Sequence, residues 1–148
     1  MPLTNLLIID DEERFLITTQ ALLGKQECQV FTATDGWQGL EQLKQKRIDV
    51  VILDVKMPGI DGIEVLRRIK ADHPLVEVIM LTGHSTLDSA INGLKLGAFD
   101  YLTKPCDISE LMLKLKAAHE KRMTALDKIQ KAKIDRIISH PMEAFVKE

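Results

Sequence analysis

The sequence predicts a doubly wound α/β protein, a five-stranded parallel sheet with helices on both faces. Three observations carry this expectation. Two short runs, Leu6-Leu7-Ile8-Ile9 and Val50-Val51-Ile52-Leu53, are apolar without alternation, as strands covered on both faces are. Each run stops abruptly at a polar residue and gives way to a segment with helical spacing of its apolar positions. Strand and helix patterns then alternate to the end of the chain, the order that builds βαβ units.

Taken in order, Leu6–Ile9 is the first strand and stops at Asp10-Asp11. Glu13–Leu23 follows as an amphipathic helix with Phe15, Leu16, Ala21, Leu22 and Leu23, closed by Gly24. Gln29–Ala33 is the second strand, and Asp35-Gly36 opens a helix carrying Trp37, Leu40 and Leu43, with Trp37 expected to pack. Val50–Leu53 is the third strand and ends at Asp54. Pro58-Gly59 marks a loop, and Asp61-Gly-Ile-Glu64 has the spacing of a capping box for a helix that His73-Pro74 closes. Val76–Leu81 is the fourth strand, followed by Thr82-Gly83 and a helix from Ser85 to about Leu96, capped by Ser85 or Thr86 and stopped by Gly97. Ala98–Leu102 is the fifth strand. Asp107 and Glu110 cap a last helix through Leu111, Leu115 and Ala118, and the helical pattern persists from Ile108 to about Ile138, with Pro141 as a stop. Met123, Leu126, Ile134, Ile137 and Ile138 fall on roughly one face of that extension, with Ile129 off it.

A chain of 148 residues suits one domain with an appendage, divided here at 1–120 and 121–148. At this size roughly two thirds of the surface is buried on folding, so no disulfide is needed. The two cysteines, Cys28 and Cys106, lack CxxC spacing and read as reduced thiols. No stretch approaches the ~18 apolar residues of a membrane helix, and the N-terminus has no basic leader, so a cytoplasmic location is expected. Charge is uneven: residues 1–110 hold 11 Lys and Arg against 17 Asp and Glu, whereas residues 111–138 hold 8 against 3. The basic stretch reads as a solvated face of the long helix. Its 28 or so residues cannot form a DNA-binding core alone, so direct nucleic-acid binding by this chain is not expected.

The chemistry lies just past the carboxyl ends of the strands, where open α/β sheets bind ligands. Asp10, Asp11, Asp54, Thr82 and Lys104 all occupy such positions. In strand order 2-1-3-4-5 the first and third strands are neighbours, so Asp10, Asp11 and Asp54 converge. Three clustered carboxylates repel one another, and a divalent cation relieves that; an all-oxygen set suits Mg²⁺ or Mn²⁺. Lys104 adds a positive charge. Asp54 is then placed as a nucleophile for a phosphoryl group, with the Thr82 hydroxyl able to bond the arriving oxygens. Each acid alone reads more readily as a helix cap. Their occurrence together at successive strand ends is what points to a site.

Ile8-Ile9-Asp10-Asp11-Glu12, Leu53-Asp54-Val55-Lys56-Met57-Pro58-Gly59-Ile60-Asp61-Gly62, Met80-Leu81-Thr82-Gly83 and Gly97-Ala98-Phe99-Asp100-Tyr101-Leu102-Thr103-Lys104-Pro105 resemble, in this order, the receiver domain of bacterial two-component response regulators, the CheY-like superfamily. The resemblance covers about residues 4–120. It implies a flavodoxin-like fold and a phospho-accepting switch, not an enzyme, that assists its own phosphorylation and dephosphorylation. Asp54 would be the phosphoacceptor, supplied by a histidine kinase or a His phosphotransfer protein. Asp11, Asp54 and the Lys56 carbonyl would ligate Mg²⁺, with Asp10 acting through water, and the Lys104–Pro105 bond would be cis. Thr82 and Tyr101 would relay phosphorylation to the surface of the fourth helix, fifth strand and fifth helix.

Lys56 and His84 are expected at the rim of the site as tuners of acyl-phosphate hydrolysis. His73, His119 and His140 show no ligand spacing and are expected at the surface. A phosphohydrolase of the haloacid dehalogenase group would want an acid where Lys56 stands. Two questions of organisation stay open: whether the receiver stands alone or belongs to a longer regulator, and whether it is monomeric or dimerises through the fourth helix–fifth strand–fifth helix face or the extended helix.

Overall fold

Strands that are apolar on both sides must be covered on both sides, and the chain does this with four crossover helices and a fifth that follows the last strand. The computed structural model describes residues 3–83 and 87–140, with the backbone alone described at Thr82 and Leu87. In chain order the elements are β1 (Thr4–Ile9), α1 (Glu13–Leu23), β2 (Cys28–Ala33), α2 (Gly36–Gln45), β3 (Val50–Leu53), α3 (Gly62–Asp72), β4 (Glu77–Thr82), α4 (Leu87–Lys95), β5 (Asp100–Thr103) and α5 (Ile108–Ser139). All strand pairs are parallel, in the order β2-β1-β3-β4-β5. The flavodoxin-like expectation holds, extended last helix included.

Successive residues of each strand feed opposite layers. Leu7, Ile9, Val51, Leu53, Val78 and Met80 pack with α3 residues Val65, Leu66 and Ile69. Leu6, Ile8, Val50, Ile52, Ile79 and Leu81 pack with Leu16 and Leu23 of α1 and with Leu111, Leu115 and Ala118 of α5.

Capping follows the sequence in part. The Asp35 side chain accepts from the Gln38 amide, and that of Asp61 from the Glu64 amide, each at 2.9 Å. Asp107 occupies the N-cap of α5 without a side-chain cap bond. Gly24 closes α1 in right-handed geometry (φ −64°), so its conformation does not require glycine, although a Cβ there would lie 3.0 Å from the Gln20 carbonyl oxygen. Gly97, at φ +106°, does need one and ends α4. β5 starts at Asp100 because Ala98 still donates its amide to the Gly93 carbonyl at the helix end. The expected caps Ser85 and Thr86, and the expected stop Pro141, lie outside the described residues.

Gly62 is constrained by closeness. A Cβ there would lie 2.2 Å from the Asp54 carbonyl oxygen and 2.6 Å from Val55 Cα, both backbone atoms. Gly62→Ala is therefore expected to cost about 1–3 kcal/mol in urea unfolding, the range of an overpacked core site. It should also push the start of α3 off the end of β3.

Two expectations are corrected by α5 and α2. His119 is 3% exposed, not a surface residue, and its Nδ1 lies 3.1 Å from the Thr4 hydroxyl. The reason is periodicity: Leu111, Leu115, Ala118, His119 and Arg122 make one buried stripe along α5. Arg122 Nε donates to Asp49 Oδ1 at 2.9 Å, and Lys121 pairs with Glu77 at 3.4 Å. After this turn the helix loses cover, with Ile134, Ile137 and Ile138 exposed. Trp37, expected to pack, is 54% exposed, with the Arg68 guanidinium 4.9 Å from its ring centroid. His73 is half-buried and His140 exposed. No described helix is long and apolar enough to cross a membrane.

Candidate functional site

Register brings the acids together. Ile9 pairs with Leu53 across β1 and β3, so the residues that follow each strand leave the same sheet edge side by side. The Asp54 amide donates to the Ile9 carbonyl at 3.0 Å and the Asp10 amide to the Ala33 carbonyl at 3.1 Å, which locks both backbones as the strands end. Asp10, Asp11 and Asp54 each place a carboxylate oxygen within 4.8 Å of the others. Asp10 and Asp54 are buried and Asp11 is exposed, so one member faces solvent.

Thr82 pairs with Thr103 at the ends of β4 and β5, and Lys104 follows directly. Its ammonium reaches back across the edge to Asp10 Oδ2 at 2.5 Å and Glu12 Oε1 at 3.1 Å, and lies 4.1 Å from the centroid of the Phe15 ring. The Glu12 amide donates to the other Asp10 oxygen at 2.9 Å. The Lys104–Pro105 peptide is cis. A cleft of about 630 Å³ opens over these groups, lined by Asp11, Phe15, Asp54, Lys56, Gly83 and Lys104 among others.

Electrostatics mark Asp54 as the stressed member. Burial first, then the charge of Asp10 and to a lesser degree Asp11, push its carboxyl up from an ordinary 3.8 to about 6, against the pull of Lys104 and the Lys56 amide. That amide is 3.4 Å from Asp54 Oδ1. Burial works against the Lys104 ammonium, but its bonds to Asp10 and Glu12 and the charge of Asp54 outweigh it and hold its pKa above the usual lysine value. The cluster is short of positive charge. Its donors are oxygens alone, so the residues fit a hard divalent cation such as Mg²⁺.

Residues 6–116 match the family described as response regulator receiver domain. The chain belongs to that family. As a receiver it is part of a two-component signalling system, and it is 40% identical over 114 residues to the transcriptional regulatory protein ZraR of Klebsiella oxytoca, covering 77% of this chain and 26% of that one. It is 40% identical over 103 residues to the DNA-binding transcriptional regulator NtrC of Escherichia coli (strain K12), covering 70% of this chain and 22% of the relative. The receiver thus spans about a quarter of the length of the curated relatives it matches, 26% and 22% for these two. Among solved structures it superposes on a response regulator receiver domain protein from Clostridium thermocellum with a TM-score of 0.80 and 39% identity, covering 83% of this chain and 99% of that one. A CheY-like receiver from Methanospirillum hungatei JF-1 gives the same TM-score of 0.80 at 27% identity, over 83% of this chain and 98% of the other.

Of the residues singled out from sequence, Asp10, Asp11, Asp54 and Lys104 meet at one edge of the receiver. Lys56 is exposed at the cleft, and Tyr101 is half-buried, packed on the α3 side of the sheet. Thr82 is at the edge by its backbone. His84 lies outside the described residues. Glu12 and Phe15 were given no role by the sequence, although both touch Lys104. The signal available for Glu12 was its place directly after Asp10 and Asp11 at the end of β1.

Proposed function

We propose that Asp54 is the phosphoacceptor of this receiver, taking a phosphoryl group from a histidine kinase or a His phosphotransfer protein. The observation that carries the reading is the convergence of three carboxylates within 4.8 Å beside an ammonium group already engaged with one of them. An Asp54 carboxylate oxygen attacks phosphorus. The new O–P bond forms as the donor's P–N bond breaks, and the imidazole leaves with the electron pair. Asp11, Asp54 and the Lys56 carbonyl would hold Mg²⁺ directly, with Asp10 acting through water. Bound there, the ion would supply positive charge to the phosphoryl oxygens. Lys104 supplies the second positive charge, and the Thr82 hydroxyl bonds the transferred group.

The same event drives the output. Thr82 moving toward the phosphoryl group frees space for the half-buried Tyr101, biasing the surface formed by α4, β5 and α5. The chain acts as a switch, not as an enzyme on a separate substrate, while assisting its own phosphorylation and dephosphorylation, and Lys56 and His84 tune the hydrolysis. We assign residues 1–120 to the receiver and 121–148 to a helical extension, in a cytoplasmic protein. A homodimer, were it to form, would pair through the α4–β5–α5 surface or through the extension, whose isoleucines are uncovered. DNA contact, named for NtrC, is not assigned to this chain.

Incubation with acetyl phosphate and Mg²⁺, followed by intact mass measurement, tests the reading. One added phosphoryl group is expected, and excess chelator should leave the protein unlabelled. Labelling that ignores chelation, or none at ample donor, would overturn it.

A further inference from the structure

We propose that Glu12 is a positioning residue that parks the Lys104 ammonium on the Asp10 side of the cleft, so that the Glu12 contact must break before Lys104 can serve a phosphoryl group on Asp54. The inference rests on the reading of Asp54 as phosphoacceptor.

An ammonium group has three N–H donors and no acceptor. In Lys104 one points at Asp10 Oδ2 and one at Glu12 Oε1, at 2.5 and 3.1 Å, and the remaining side of the group faces the Phe15 ring at 4.1 Å. All three directions are taken. A new oxygen on Asp54 can be bonded only if one partner is given up.

The three partners are not equal. The Asp10 side chain is 2% exposed and the Glu12 side chain 65% exposed. Separating the ammonium from Asp10 would strand a buried carboxylate, which is costly. Glu12 can be released to water at little cost, because exposed ion pairs are weak. Its backbone is not released with it: the Glu12 amide stays bonded to Asp10 Oδ1, and Glu12 remains the N-cap of α1. The side chain is thus a removable contact on a fixed hinge. It can retain Lys104 in the unmodified protein and yield it on phosphorylation.

Substitution at Glu12 disturbs little else, since its side chain makes no cap bond. Labelling of Glu12→Gln and Glu12→Asp by acetyl phosphate at saturating Mg²⁺ is compared with wild type. Both are expected to label faster, roughly two- to fivefold, the range corresponding to loss of an exposed pair. Aspartate keeps the charge but is shorter by one methylene, about 1.5 Å, too short to hold the 3.1 Å contact. Glu13→Gln removes a neighbouring charge that makes no ion pair with Lys104 among the described residues, and it should label as wild type. If Glu12→Asp behaves as wild type while Glu12→Gln is faster, charge alone acts and the parking is overturned. Equal rates in all four proteins overturn it too.

A second readout uses the unmodified protein without Mg²⁺ or donor. Solvent exchange of the Lys104 ammonium protons, followed by nitrogen-detected NMR, should quicken in both Glu12 variants, and unchanged exchange overturns the proposal. This measurement stands apart from the phosphoacceptor assignment. Were wild type to take no label at all, that assignment would fail, while the exchange rates would still decide whether Glu12 holds Lys104.

Discussion

Asp54→Asn is expected to abolish phosphoryl labelling and, at the same time, to make the metal-free protein more stable at neutral pH. The loss is chemical. An amide oxygen bears no negative charge and is a far weaker nucleophile than a carboxylate, so no acyl phosphate forms on the peptide containing residue 54. The gain is electrostatic. Asp54 is 6% exposed, and burial and the Asp10 charge hold its carboxyl at about 6, above the ordinary 3.8 of an unfolded chain. A carboxyl whose pKa is raised by folding binds more protons in the folded state, so its ionisation works against folding. That penalty is absent well below pH 3.8, where both states are protonated. It grows between pH 4 and 6 and is complete above pH 6. Asparagine removes it. Allowing for solvent at the mouth of the cleft, the variant should gain about 1–2 kcal/mol at pH 7.5 and no more than about a few tenths at pH 4. Urea unfolding at the two pH values checks this. Adding Mg²⁺ should stabilise wild type and the variant much less, since the ion favours the state that holds it. A variant that loses its label while becoming more stable cannot owe the loss to unfolding.

Arg122→Met is expected to produce the largest loss of stability among the substitutions considered, about 3–5 kcal/mol, by stranding a buried charge. Asp49 is 4% exposed and Arg122 9% exposed, and their side chains meet at 2.9 Å. With Arg122 gone, Asp49 would keep only the Asn5 amide, at 2.9 Å from its Oδ2. Asp49→Asn in the same chain should restore part of the loss, because the stranded group is then neutral. A coupling of more than about 1 kcal/mol between the two changes is expected from such a contact. Phosphoryl labelling should be nearly unchanged in folded protein, since the pair lies at the opposite end of the strands from Asp54.

The contrast between these two sites explains what the sequence disclosed. Asp10, Asp11 and Asp54 were legible because strand ends are legible: an apolar run such as Val50–Leu53 stops where burial stops, and strand order then fixes its neighbours. Lys104 was legible by position, but not its partners. Whether a lysine after β5 faces Asp54, Glu12 or water depends on side-chain geometry that no periodicity encodes. His119 shows that a lack of ligand spacing is no sign of exposure. The stripe through Leu111, Leu115 and Ala118 predicts burial at residues 119 and 122 just as well. Asp107 shows the converse limit: a residue of the right type stood at the N-cap, yet its carboxylate makes no cap bond.

Three residues within one turn of α5 reach the starts of three parallel strands: His119 meets Thr4, Lys121 meets Glu77 and Arg122 meets Asp49. A helix gripped in this way near its middle behaves as a beam on a fulcrum. From Ile108 to the middle of the grip is about 19 Å and from there to Ser139 about 28 Å, at 1.5 Å of rise per residue. A sideways shift of the Ile108 end, which borders the acidic cleft, is therefore returned at Ser139 in the opposite direction and about 1.5 times larger, with no bending needed.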